Sequence, residues 1–556
     1  MEGEYDPFPE RFSRKVDALA DWLEKDRLNL WMTFGYVLLI ALARDMSEYF
    51  LLDEAFVTTS HPWIFSIAHH MAFFVLTYIG LVLILKVFSG TDLRKCMNYT
   101  NCYYWVLLLP PWIDRFICGQ DTNYAYFSWT DFLSAFFTFG GDEFHLGQGI
   151  EVVVVLFALF AYVFWRRRDE LEDIQGRGLL ALRIGGMAFF TFISMLMLGT
   201  PGMYLPVGSD GGAPVFPNFD STKYEQFHLF IFAFYYLACA ALVLVLSYIA
   251  LQKRFWHELG ALRPYQTAFF AAIVLAGMAF AWQSVDANVV ERILEEPFWV
   301  NFAYILPTVT SAVLAWQASV IWNDLSDRRW DSPEKRGRVL ASGLLSPKVL
   351  REASIVLAAT ALAVSLLLSV QQFIIMVGIL GLAFIYSFPP VRFKNALLSP
   401  LLMGAGTFLA FLYGAMTPYA EVGYVGSEMI PYLTGKTVVA ILSLDSLMIG
   451  LFMFIGLVIG SIITDIDGYE EDSVGGVRTI YTAFGLERGT GVASVLVFLA
   501  ALTPLIVFPE TVDMVVFPVL GTVAALLLYR KRSSRMVMSV ALLGLMYAAL
   551  RFLSII

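Results

Sequence analysis

The chain is 556 residues long, 58% hydrophobic and only 15% charged, where a soluble globular domain carries about 25% charged residues. That balance excludes an ordinary water-soluble enzyme and points to a chain solvated by lipid. The net charge of −10 says little about nucleic acid, but the basic residues sit in short clusters between apolar runs rather than on one extended face, so no nucleic-acid partner is expected.

The first 28 residues are charged, which argues against a cleavable signal peptide. Within them Phe12, Val16, Leu19 and Leu23 recur at helical spacing among Arg11, Arg14, Lys15 and Lys25. The pattern predicts an amphipathic helix on the membrane surface, or else a solvated helix without lipid contact.

A helix that crosses a bilayer needs roughly 20 mostly apolar residues. Six such runs occupy the first half, at about 29–51, 62–87, 103–118, 149–166, 178–199 and 226–251. The third contains Pro110-Pro111 and is expected to kink or tilt. Nine more follow, at about 265–284, 298–321, 352–370, 372–388, 398–416, 437–463, 490–508, 512–529 and 536–554. The fold class expected is therefore all-α, a polytopic membrane bundle of about fifteen transmembrane helices.

Basic residues mark the cytoplasmic loops of such proteins. With the N-terminus in the cytoplasm, those loops hold Lys86 to Lys95, Arg166-Arg167-Arg168, Lys253-Arg254 and Arg530-Lys531-Arg532. The opposite loops 52–61, 119–148 and 200–225 hold one basic residue, Lys223. This predicts an integral, multi-pass membrane protein with a cytoplasmic N-terminus and an external C-terminus. The basic connector at 252–264 divides it into a membrane domain of about six helices, residues 1–255, and another of about nine, residues 256–556.

Several motifs in the first half are false leads. Gly140-Gly141-Asp142-Glu143-Phe144 spells a nucleotide-cyclase signature, but that chemistry needs a large soluble α/β domain and this is an external loop. Asn98-Tyr99-Thr100 matches a glycosylation acceptor on the wrong side of the membrane. Intramembrane His69-His70 is a functional candidate, although a histidine hydrogen-bonded between helices is the commoner case. His145 and His228 have no supporting pattern. The cysteines Cys96, Cys102, Cys118 and Cys239 form neither a disulfide framework nor a zinc pattern. Residues 1–255 could form a partner-binding module, a substrate-handling module or a second enzyme.

The second half carries two acidic clusters. Asn323-Asp324-Leu325-Ser326-Asp327-Arg328-Arg329-Trp330-Asp331 ends the eighth run. Steps of three and four residues put Asp324, Asp327 and Asp331 on one helix face. Carboxylates so close repel unless a cation lies among them, and oxygen-only ligands favour magnesium or calcium. The second cluster, Asp465-Ile466-Asp467-Gly468-Tyr469-Glu470-Glu471-Asp472, follows the twelfth run on the same side. Two such clusters could close on one diphosphate through bridging cations. Lys335, Arg336, Arg338, Arg392, Lys394 and Arg478 in adjacent loops would contact its remaining oxygens.

These segments resemble the UbiA superfamily of intramembrane prenyltransferases. Asn323 to Asp331 fits the NDxxDxxxD motif at every fixed position. Arg338 to Gly343 looks like the RPxxSG segment, with Val339 in place of proline. Tyr386 to Lys394 is similar to YSxPPxRxK. In the second cluster Asp465, Asp472, Gly476, Thr479 and Gly485 fall at family spacing, but Gly468 stands where an aspartate is expected; Asp467 or Glu471 could substitute. The resemblance spans about 260–556, and its nine predicted helices equal the family's number.

What the resemblance implies is a Mg2+-dependent transferase of alkyl groups other than methyl. It would move a polyprenyl group from a polyprenyl diphosphate to an aromatic or lipid acceptor at the cytoplasmic face, in quinone or archaeal ether-lipid biosynthesis in a prokaryotic cell membrane. The metal would be held by Asp324, Asp327, Asp331, Asp465 and Asp472, with Asp467 as a further ligand. Asn323, Arg338, Tyr386, Arg392, Lys394 and Arg478 would contact the diphosphate and prenyl chain, with Tyr386 facing the allylic cation or anchoring at the interface. Two rivals are a cation-coupled transporter, whose carboxylates would be expected near mid-membrane, and an inactive prenyltransferase-like scaffold, which Gly468 and Val339 suggest.

Overall fold

The computed structural model describes residues 8–51, 63–119, 129–138, 145–200, 221–256, 263–284, 298–327, 346–388, 396–418, 444–475 and 478–555. Those residues are helical, with no strand among them, and twelve helices are long and apolar enough to cross a membrane. The chain divides into two compact units, Met1–Trp256 and His257–Ile556.

In the N-terminal unit α1 (Phe8–Leu23) precedes α2 (Leu30–Leu51), α3 (Trp63–Ser89) and α4 (Leu93–Tyr103). The stretch expected as the third crossing, 103–118, is no continuous helix. It continues α4 through a 3-10 turn (Tyr104–Leu108), a single turn α5 (Leu109–Ile113) and a π turn (Asp114–Cys118), ending at Gly119 with φ +66°. Pro110 and Pro111 lack the amide hydrogens a regular helix would need. The segmented run starts ten residues earlier than hydropathy suggests, because its polar N-terminal part is buried in protein: Asn98 and Thr100 are both buried. Asn98 donates Nδ2 to Glu24 O at 2.9 Å, which removes it as a glycosylation site.

After α6 (Trp129–Thr138), three long helices complete the unit: α7 (Leu146–Arg166), α8 (Ile174–Gly199) and α9 (Ser221–Leu251). An acidic stripe ties α1 to the basic ends of its neighbours. Asp17 accepts from Arg168 Nη1 and Nη2 at 2.8 and 2.9 Å, and this contact holds its carboxyl below the usual range. Glu24 Oε1 accepts from Tyr162 Oη at 2.8 Å and Arg166 Nε at 2.6 Å, while Lys95 lies 3.2 Å from Oε2. Leu19 and Trp22 on α1 remain exposed. Of the basic groups expected to share one side of the membrane, Lys95, Arg166 and Arg168 thus meet on this acidic stripe. The GGDEF stretch lies outside the described residues, as does the side chain of His228.

The C-terminal unit comprises α10 (Pro264–Ser284), α11 (Phe298–Asp327), α12 (Pro347–Leu368), α13 (Val370–Ser387), α14 (Leu398–Ala415), α15 (Leu444–Thr464), the short α16 (Tyr469–Gly475) and α17 (Ile480–Phe484), then α18 (Leu486–Leu502), α19 (Asp513–Lys531) and α20 (Ser534–Ile555). Within lipid there is little hydrophobic drive between helices, so close packing and polar contacts must hold them. Both are present. The Tyr413 hydroxyl of α14 lies 2.6 Å from Ser311 Oγ of α11 and 2.8 Å from Ser365 Oγ of α12. Gln372 of α13 donates Nε2 to Tyr413 O at 3.3 Å.

At the α10–α14 crossing a Cβ on Gly277 would lie 2.1 Å from Phe411 O, and one on Gly414 would lie 2.0 Å from Val274 O. Backbone atoms cannot swing aside, so Gly414→Ala is expected to cost at least the about 1–3 kcal/mol of core overpacking. Gly456→Ala meets open space and is expected to be neutral or stabilising. Thermal unfolding of the two variants in detergent checks this.

Candidate active site

Asn323 to Asp327 of the first acidic cluster sit in the last turns of α11, where the helix macrodipole already presents negative charge. Carboxylates there need a cation, and the structure provides one. Asp324, 6% exposed, receives Nη2 of Arg263 at 2.7 Å. Arg263 has φ +49° immediately before Pro264, a left-handed backbone that a side-chain-bearing residue adopts at a cost of order 1–3 kcal/mol. Strain of this kind persists where surrounding structure imposes it, and here it sets the guanidinium against the acidic end of α11. The sequence reading did not single out Arg263; its one signal was an arginine directly before a helix-starting proline on the same side as Asp324.

Asn323, one residue before, faces a cavity of about 190 Å3 together with Arg263, Tyr386 and Ser387. Below this polar rim the walls are apolar and include Phe270 and Trp316, stacked at 4.1 Å between centroids, with Ile379 and Leu457. Ser326 Oγ donates to Ser387 O, which fastens the end of α11 to the end of α13. Trp322 Nε1 donates to Ser354 Oγ of α12 at 3.0 Å. The rim is thus fixed by hydrogen bonds on two sides.

The second cluster forms the turn after α15 and the first residues of α16. Asp465 and Asp472 are half-buried, and burial, with the nearby Asp472 charge, pushes Asp465 up to about 7. Tyr481, buried beside them, is raised by its own burial and then by the charges of Asp465 and Asp467. A carboxyl pushed toward neutrality by burial and a neighbouring carboxylate, as Asp465 is, suits a divalent cation. Asp467 is oriented toward α20, where Ser534 Oγ donates to its Oδ2.

Gly468 is not among the left-handed glycines, and a Cβ there would sit 3.5 Å from Asp472 Oδ2, an ordinary contact. Neither backbone nor space demands glycine at 468. Arg478 is exposed between α16 and α17. Asp331, Arg338, Arg392 and Lys394 lie outside the described residues, as do the side chains of Asp327 and Glu471. Among the described residues no group of three His, Cys, Asp or Glu side chains is arranged to hold a metal ion. The structure brings Asn323 and Tyr386 to one cavity, and Asp465 and Asp472 to one turn.

Residues 270–537 match the UbiA prenyltransferase family. The C-terminal unit carries a UbiA-family domain. Among solved structures, the chain is similar to a UbiA homolog from Archaeoglobus fulgidus bound to GPP and Mg2+, at 17% identity over 53% of this chain and 97% of that one, with a TM-score of 0.37. It is also similar to a digeranylgeranylglyceryl phosphate synthase, at 16% identity over 54% of this chain and 100% of that one, TM-score 0.37. No curated protein matches the chain. The family match leaves out residues 1–269, so the N-terminal unit lies outside it. Within the UbiA-family domain lie both acidic clusters and the rim of the cavity; Arg263 lies seven residues before the matched region.

Proposed function

We propose that the C-terminal unit transfers a polyprenyl group from a polyprenyl diphosphate to an aromatic or lipid acceptor, with Mg2+, at the cytoplasmic face of the membrane. The observation that carries this reading is the apolar cavity whose rim holds Asn323, Arg263 and Tyr386 next to Asp324. A hydrocarbon tail fits its walls and an anionic head suits its rim.

The donor set fits the metal: oxygen ligands only, with mutual repulsion that a cation relieves. Asp324, Asp327 and Asp331 from one cluster, and Asp465 and Asp472 from the other, would hold Mg2+. Asp467, engaged by Ser534, is the weaker ligand candidate. When bound, Mg2+ neutralises the diphosphate and makes it a better leaving group. Arg263, Arg338, Lys394, Arg392 and Arg478 would supply positive charge to the departing oxygens. The allylic C–O bond breaks and its electron pair leaves with the diphosphate. The prenyl carbon then bonds to an electron-rich carbon or oxygen of the acceptor, which releases a proton. The Tyr386 ring face is suited to shelter the cation, and the apolar walls exclude water that would otherwise capture it.

The transporter reading finds less support here, because Asp324 ends a helix beside an arginine instead of interrupting one at mid-span. Gly468→Asp addresses the scaffold reading. It restores a carboxylate beside Asp472 without a clash and is expected to lower the Mg2+ concentration for half-maximal turnover, since affinity follows ligand charge. A Mg2+ titration of turnover checks it.

The proposal itself is tested by incubating the full chain with radiolabelled geranylgeranyl diphosphate, Mg2+ and a panel of hydroxybenzoate, naphthoate and geranylgeranylglyceryl phosphate. Label is expected in one acceptor class. Intact diphosphate across the whole panel, with none bound, would defeat the enzyme reading.

A further inference from the structure

The N-terminal unit encloses a cavity of about 440 Å3 that the proposed reaction does not use, within the roughly 300–1,000 Å3 of small-molecule pockets. Its walls come mainly from α3, α7, α8 and α9, completed by Arg44 of α2, Phe132 of α6 and the segment 103–107. On α7 the lining residues Gln148, Glu151, Val152, Val155 and Leu156 recur at helical spacing and form a single stripe. The stripe is polar at its first turn and apolar beyond.

The polar end is unusual for the interior of a membrane bundle. Arg44, Asp45 and Glu48 of α2 are 0%, 1% and 7% exposed. Arg44 Nε lies 2.7 Å from Glu48 Oε1, Arg44 Nη1 donates to Leu107 O at 2.8 Å, and His70 Nδ1 lies 2.6 Å from Asp45 Oδ1. Intramembrane charges are costly and are retained at functional sites. Here they are matched in pairs, and Arg44 and His70 both border the cavity. Glu151 also borders it, within reach of the Arg44, Glu48 and Asp114 charges, and no hydrogen bond or ion pair among the described residues engages its carboxyl.

We infer that this cavity binds a single-chain lipid whose head is an uncharged hydroxyl. Arg44 and His70 border the cavity but already face Glu48 and Asp45, so neither is spare for a phosphate or carboxylate head, and the Glu151 carboxyl disfavours one. No three ligands are arranged for a metal ion among the described residues. The apolar wall is too extensive for a sugar. A hydroxyl, by contrast, both donates and accepts, so it can serve Glu151 and Gln148 together, while its chain follows Val152, Val155 and Leu156. This inference does not rest on the prenyl-transfer reading.

The test uses the purified full chain in nanodiscs with geranylgeraniol carrying a diazirine at its tail, photolysis, and mapping of adducts by mass spectrometry. Adducts are expected on Val152–Leu156 and on Ala241 and Leu242. Excess geranylgeraniol or hexadecanol is expected to suppress them, the better competitor identifying an isoprenoid or an alkyl source. Gly80 lines the cavity and a Cβ there meets nothing within 4 Å, so Gly80→Phe is expected to fill it and cut labelling at least tenfold with unchanged thermal unfolding. Should Gly80→Phe fail to fold, Glu151→Leu keeps the question open to decision, with an expected loss of about tenfold in affinity for the alcohol. Labelling spread over the lipid-facing surface and insensitive to these substitutions would overturn the inference. So would equal or stronger competition by geranylgeranyl diphosphate.

Discussion

Asp324→Asn is expected to lower kcat/KM for prenyl transfer by roughly 100- to 1,000-fold, the scale seen when one preorganised electrostatic contact to a reacting centre is lost. The amide keeps the size and can still accept from Arg263, so the helix end should hold its place. What disappears is the charge that attracts a cation to the end of α11. Asp324 is buried and already paired at 2.7 Å with Arg263, so its charge is firmly positioned at the end of α11. Steady-state kinetics across Mg2+ concentrations separate the explanations. If the role is metal binding, Asp324→Asn raises the Mg2+ requirement, and excess Mg2+ restores part of the rate. An Arg263→Lys variant keeps a charge but loses the planar fork, and should show a smaller loss.

The second large effect concerns the N-terminal unit. Glu24→Ala is expected to destabilise it by about 3 kcal/mol, the lower end of the range for breaking a buried ion pair. Lys95 and Arg166 are 51% and 22% exposed, so water recovers part of their charge and the upper end is not reached. Tyr162 Oη and Arg166 Nε both lose their acceptor. The docked α1 should then detach and become open to limited proteolysis before the rest of the chain. Asp17→Asn, at the exposed end of the same stripe, should move the unfolding temperature far less. Equal protection of α1 in wild type and Glu24→Ala would show that lipid contact, not the acidic stripe, holds this helix.

The all-helical membrane architecture was legible in the sequence because spans are long apolar runs and lipid imposes that pattern directly. The UbiA-family character of the second half was legible as well, through Asn323 to Asp331 and Tyr386 to Lys394. Less legible was anything decided by contacts between distant segments. Arg263 and Asp324 are 61 residues apart, Glu24 and Arg166 are 142 apart, and no local periodicity announces either pair. The third run was expected to start at 103 because Arg94, Asn98 and Asn101 depress hydropathy before it, although α4 begins at Leu93 and is partly buried in protein. Asn101, for example, accepts from Tyr78 Oη at 2.8 Å. Asp467 read as a metal ligand from its neighbours in sequence, while its hydrogen bond to Ser534 depends on where α20 begins. The charged end of the N-terminal cavity could be suspected from His69-His70, but no motif in the sequence marks Arg44 and Glu48.

Binding of a radiolabelled polyprenyl diphosphate to the purified full chain, with Mg2+ and then with excess chelator, tests the central claim most directly. Saturable binding is expected that Mg2+ promotes, chelator abolishes and Asp324→Asn weakens at least tenfold. Binding that is absent, or that is unchanged by both chelator and Asp324→Asn, would contradict it.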